Sequence, residues 1–107
     1  MNTRIEINDG GYSSEYVLED YCKNVILIGR SSDCDIKVRS DLVSAKHGCF
    51  YRENNSWRYK DMHSKNGSFK EEKKIISVLL RRGIRVNLGT PRMSENGVWF
   101  ITRSAEE

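Results

Sequence analysis

Turn signals recur so closely along this chain that most apolar runs between them are only a handful of residues long. Asn8-Asp9-Gly10-Gly11, Ser31-Ser32-Asp33, Glu53-Asn54-Asn55, Asn66-Gly67 and Asn96-Gly97 are the breaks. Runs this short are poor material for amphipathic helices and good material for strands. Residues 3–7 alternate in polarity through Arg4, Ile5, Glu6 and Ile7. Residues 15–21, with Tyr16, Val17 and Leu18, predict a second strand. The apolar run 25–28, ending at Gly29, predicts a strand buried on both faces. Residues 34–38 set Ile36 and Val38 on one face. Segments 47–52 and 56–61 flank the Glu53-Asn54-Asn55 break and predict a hairpin, with Trp57 and Tyr59 sharing a face. Segments 84–88 and 98–102 predict the last two strands, around a loop that holds Pro91. Many short strands at close spacing predict an all-β antiparallel sandwich.

Composition agrees. Nine Ile and seven Val stand against six Leu and two Ala, a balance that favours strands over helices. A chain of 107 residues suggests one domain. At that size a single core can bury roughly two-thirds of the surface of the unfolded chain, so no disulfide or metal staple is needed. The expected domain spans 1–103, with a frayed tail over 104–107. One segment conflicts with the all-β pattern. Phe69, Lys73, Ile76 and Leu80 recur at helical spacing, and Ser68-x-x-Glu71 fits a capping box. Local rules therefore predict a helix over 68–80.

Several function classes are disfavoured. No apolar run reaches the length of a membrane span, and Glu6 stands where a secretory signal would be apolar. A cytoplasmic location, without membrane partners, is the expectation. Cys22, Cys34 and Cys49 are odd in number and form no Cys-x-x-Cys pair, which argues against a disulfide framework or a Cys-rich zinc site. A site from Cys34, Cys49, His47 and His63 fits no zinc-cluster spacing, so no metal and no cofactor are expected. The net charge of +3 is mild for a nucleic-acid domain and suits a small anionic ligand better. A triad from Ser44, His47 and Asp41 would crowd three members into one loop, where the needed geometry is rarely reached. The chain is therefore expected not to be an enzyme.

Four features carry chemistry when taken in order. They are Gly29-Arg30, Ser44-Ala45-Lys46-His47, the stretch Asp61-Met62-His63-Ser64-Lys65-Asn66-Gly67-Ser68, and the segment from Leu80 to Gly89. Each is common alone, while the order and spacing together are not. Arg30 ends a stiff apolar run, and a guanidinium offers a planar fork of donors with a charge that it cannot lose. Ser44 can donate its hydroxyl to an anion, and the amide of Asn66 both donates and accepts. Gly67 permits a tight turn.

In these features the sequence resembles the forkhead-associated (FHA) domain family. That family carries Gly-Arg at a strand end, Ser-x-x-His further on, and an Asp-x-x-Ser-x-Asn-Gly-Thr/Ser loop after a hairpin. The resemblance runs from about residue 25 to 88. It implies a β-sandwich of about eleven strands whose loops at one end bind an extended phosphothreonine peptide. A dianionic phosphate with three acceptor oxygens matches the donors above. By resemblance, Arg30 and Ser44 bind phosphate, with Lys46 and Lys65 adding charge. Asn66 binds the peptide main chain and Ser64 adds a contact. Gly29, His47, Asp61, Gly67 and Ser68 support the loops. The implied function is a protein-interaction module of intracellular Ser/Thr-kinase signalling, its partner a phosphothreonine protein such as a kinase or its substrate. The alternative is an FHA-fold scaffold that binds its partner without phosphate. A third class, nucleic-acid binding through Arg81, Arg82 and Arg85, predicts strong salt dependence.

This sequence departs from the family at three points. Ala45 stands where Arg or Asn is frequent, Ser68 replaces the usual Thr, and Glu71-Glu72-Lys73-Lys74 occupies the place of a second Asn-Gly. For 68–80 the resemblance implies a loop and short strands instead of the helix, and that is the expectation adopted, since tertiary context overrides propensity in short segments.

Overall fold

A computed structural model describes residues 2–105 of the protein. Eleven strands follow in order: β1 (Arg4–Asp9), β2 (Tyr12–Val17), β3 (Val25–Gly29), β4 (Ile36–Lys37), β5 (Gly48–Glu53), β6 (Ser56–Asp61), β7 (Ser68–Lys70), β8 (Lys73–Ile75), β9 (Ser77–Leu79), β10 (Arg85–Leu88) and β11 (Val98–Ser104). They form a six-stranded sheet in the order β2-β1-β11-β10-β7-β8 and a five-stranded sheet in the order β4-β3-β5-β6-β9. The expected β-sandwich is therefore present. No helix among the described residues is long and apolar enough to cross a membrane.

The two-residue period of the strands builds the core. Ile5 and Ile7, Ile26 and Ile28, Trp57 and Tyr59, and Val86 and Leu88 are the alternate residues of their strands, and all are buried. Phe50, Tyr59 and Phe100 meet between the sheets with ring centroids 5.0–5.4 Å apart in tilted and edge-on geometry. Such pairs add about 0.5–1.5 kcal/mol beyond the area that they bury.

Four expectations need correction or adjustment. The second strand ends at Val17, and Leu18–Tyr21 form a 3-10 turn. Leu18 is fully buried there, and the Glu19 carboxylate accepts from the Thr3 N–H (2.7 Å) and the Trp57 indole (3.0 Å), which pins the turn. Strand 25–28 is buried on one face only, because Val25 is exposed. The segment 34–38 contributes only the two residues of β4, and these pair with β3 in parallel. The Asp35 carboxylate turns back to accept the Leu27 N–H (2.8 Å), folding this loop onto the strand that precedes it. The helix signal over 68–80 is not realised: β7, β8 and β9 stand there, as the family pattern implies. Finally, Ser104 belongs to β11 and pairs with Arg4, and Ala105 is buried. Of the expected tail, Glu106 lies with Glu107 outside the described residues.

Candidate functional site

Three loops meet at one end of the sandwich. The first leaves β3 at Arg30, the second runs from β4 to β5 through Ser44 and His47, and the third joins β6 to β7 through Asn66. Backbone bonds fuse the first two: the Arg30 N–H donates to the Ser44 carbonyl and the Ser31 N–H to the Ala45 carbonyl, both at 3.0 Å. Gly29 makes this approach possible, since a Cβ there would lie 2.3 Å from the Ala45 carbonyl oxygen.

Arg30 is exposed, yet its guanidinium is anchored. Its Nε donates to the Val43 carbonyl at 3.0 Å, which leaves both terminal nitrogens for a ligand. Ser44 accepts the Lys65 N–H at its hydroxyl (2.9 Å), so the hydroxyl proton remains to be donated elsewhere. Lys46 is exposed on the second loop and Lys65 on the third. Asn66 spans to the second loop by donating its Nδ2 to the Leu42 carbonyl at 2.9 Å. Its amide oxygen and second N–H are left over. The structure thus brings Arg30, Ser44, Lys65 and Asn66 to a common rim.

Beneath them lies a buried polar network. His47 is fully buried. Its Nδ1 accepts the Ser44 N–H at 3.0 Å, which assigns the ring proton of the neutral tautomer to Nε2, 2.8 Å from the Gly67 carbonyl. One imidazole therefore ties the Ser44 loop to the Asn66 loop. Burial pushes its pKa below the ordinary histidine value, against the opposing pull of the Gly67 carbonyl and Asp61. Asp61 accepts from the Ser64 N–H (2.9 Å), the Ser64 hydroxyl (2.6 Å) and the Ser68 hydroxyl (2.7 Å). Burial pushes its carboxyl up, but the hydrogen bonds from Ser64 and Ser68 prevail and hold it below the usual range. Ser68 is buried and also bonds the Tyr59 hydroxyl at 2.8 Å. Gly67 donates its N–H to the Ser64 hydroxyl (2.9 Å) and sits at φ +88°, a conformation that favours glycine.

Ser64 is the residue whose placement differs most from the sequence reading. Its hydroxyl donates to Asp61 and accepts from Gly67, so it braces the loop from within. The imagined triad is ruled out by geometry. His47 spends one ring nitrogen on the Ser44 backbone and the other on Gly67, leaving no base for the Ser44 hydroxyl. Among the described residues no group of three or more His, Cys, Asp or Glu is placed to hold a metal.

Sequence reasoning missed three contributors. Two are the carbonyls of Leu42 and Val43, which no side-chain pattern announces. The third is Lys74 of β8. A Cβ on Gly67 would meet the Lys74 Cε at 3.0 Å, so the lysine stem lies against the third loop. Its pairing with Phe69 across the β7–β8 hairpin carries it there.

No curated protein sequence matches this chain. Among solved structures, the Slr1951 protein from Synechocystis sp. superposes with a TM-score of 0.79 at 23% identity, covering 100% of both chains. A domain from a structural and functional analysis of phosphothreonine-dependent FHA domain interactions gives 0.75 at 18% identity, again over 100% of both. Mycobacterium tuberculosis EmbR, in complex with a low-affinity phosphopeptide, gives 0.68 at 22% identity, over 97% of this chain and 26% of that one. The sequence of residues 26–89 itself matches the FHA domain family, and with that match over more than half of its length the chain belongs to the FHA family.

Proposed function

We propose that this chain is a phosphothreonine-peptide-binding module of intracellular Ser/Thr-kinase signalling, acting by recognition and not by catalysis. In this reading Arg30 and Ser44 hold the phosphate, Lys46 and Lys65 add positive charge, and Asn66 bonds the peptide main chain beside the phosphothreonine. Gly29, His47, Asp61, Ser64, Gly67 and Ser68 keep the three loops in register. The partner is a protein phosphorylated on threonine, such as a kinase or its substrate, and the setting is the cytoplasm.

One observation carries the reading: an anchored guanidinium with free terminal nitrogens stands on a loop bonded through its backbone to the loop that carries the Ser44 hydroxyl. A phosphate needs several fixed donors, and donors oriented before binding cost less to order on binding. The similar folds of a domain studied for phosphothreonine-dependent interactions and of phosphopeptide-bound EmbR support the same ligand class.

The test is binding to a degenerate phosphothreonine peptide library, beside matched phosphoserine and unphosphorylated pools. Binding confined to phosphothreonine, and reduced by about 2–5 kcal/mol in Arg30→Ala, is the expected result. A folded protein that binds all three pools alike would leave only the scaffold of the family.

A further inference from the structure

Resting on that reading, we infer that Lys74 selects the ligand: the site takes phosphothreonine motifs that carry an acidic residue on the flank lying beside Asn66 and Gly67. The inference starts from where charge is left unneutralised. The β7–β8 turn carries two acids next to its lysines, but both are engaged on other partners. Glu71 bonds Lys70 (3.3 Å) and Glu72 bonds Arg92 (3.0 Å). Among the described residues no carboxylate lies within ion-pair distance of Lys74 or Lys65. Asp61, the nearest acid in the loop sequence, is turned inward onto Ser64 and Ser68.

Lys74 is exposed, and its stem lies against Gly67, the residue that follows Asn66. It also lines a groove with Lys60, Asp61, Met62, Ser64 and Ile75, in which the Asp61 carboxylate is occupied by the Ser64 and Ser68 hydroxyls. A peptide whose main chain is held at Asn66 and which leaves along this groove passes the Lys74 ammonium. Carboxylate side chains gain there, and lysine or arginine side chains lose.

The experiment is an oriented library of phosphothreonine peptides with Asp, Ala or Lys at each of the flanking positions. Fluorescence anisotropy is read with the wild type, Lys74→Ala and Lys74→Glu. At one flanking position Asp should tighten wild-type binding about five-fold over Ala, the upper range for an exposed ion pair. Lys74→Ala should erase that ratio, and Lys74→Glu should transfer the preference to Lys. Phosphothreonine binding without an acidic preference, or a preference unaltered in Lys74→Glu, overturns this inference alone. Absence of binding to every phosphothreonine peptide overturns the functional reading as well.

Discussion

His47 shows how much one residue can hold. It is fully buried, and each ring nitrogen bonds the backbone of a different loop at the end of the sandwich. Protonation would place a second proton on Nδ1, opposite the Ser44 N–H, and would bring charge into a dry site. Its pKa is accordingly depressed by burial. The sign follows from linkage. Below the ordinary histidine value of about 6.5 the unfolded chain binds a proton that the folded chain refuses. The stability due to His47 is therefore complete above that value and declines as the pH falls below it toward the depressed folded pKa. Urea midpoints should drop between pH 7.5 and 5.5, and His47→Gln should flatten that dependence. An unchanged slope in the variant would remove His47 as its source. Asp61, with its depressed pKa, has the same sign, but its contribution is lost only at the lower pH where carboxylates titrate.

At the scale of elements, the β7–β8 hairpin decides between local and distant forces. A helix over 68–80 would line up Phe69, Ile76 and Leu80, yet Leu80 is 2% exposed and Ile76 is 84% exposed. Strand pairing prevails because partners wait on both sides: Ser68 and Phe69 pair with β10, and Ser77, Val78 and Leu79 pair with β6. The hairpin turns at Glu71 and Glu72, which lie at φ 52° and 64°. Two successive positive φ values suit Asn-Gly, the pair that the family pattern led one to expect here, and not two glutamates. The double substitution Glu71→Asn, Glu72→Gly should therefore raise stability by about 1 kcal/mol, measured as a shift in urea midpoint at constant slope. The loss of the exposed Glu72–Arg92 pair offsets little of this. A decrease in stability would show that the turn is held by its acids and not merely tolerated.

Across the whole molecule, the two sheets meet at Phe50, Tyr59 and Phe100. Tyr59 links this core to the binding end, because its hydroxyl bonds Ser68 and Ser68 bonds Asp61. Phe100→Ala should cost about 3–5 kcal/mol in chemical denaturation, as a cavity in a closed core does. A cost under 1 kcal/mol would mean that the sheets repack around the gap. The net charge of +3 is carried by the whole surface, so it also allows attraction that owes nothing to the three loops. Arg81→Ala distinguishes the two, since Arg81 is exposed and lies outside the loops that meet at the site. Phosphopeptide affinity should change less than two-fold in Arg81→Ala, a shift within the range of a single exposed charge. Equal losses in Arg81→Ala and Arg30→Ala would favour the diffuse field over the built site.

The class of the fold was legible in the sequence because it depends on short-range information, whereas the candidate site residues were singled out by the resemblance to the FHA family. Alternation marks a half-buried strand wherever it occurs, and turn residues mark its ends. Arg30, Ser44, His47 and Asn66 stand in short motifs whose order survives without knowledge of the fold. The tertiary structure alone decided the parallel pairing of β4, the hairpin over 68–75, the inward turn of Ser64 and the arrival of Lys74 at Gly67. Each depends on a partner distant in sequence or on a backbone carbonyl. Neither leaves a trace in the local order of side chains, because the energy that selects them is gained only when the strands meet.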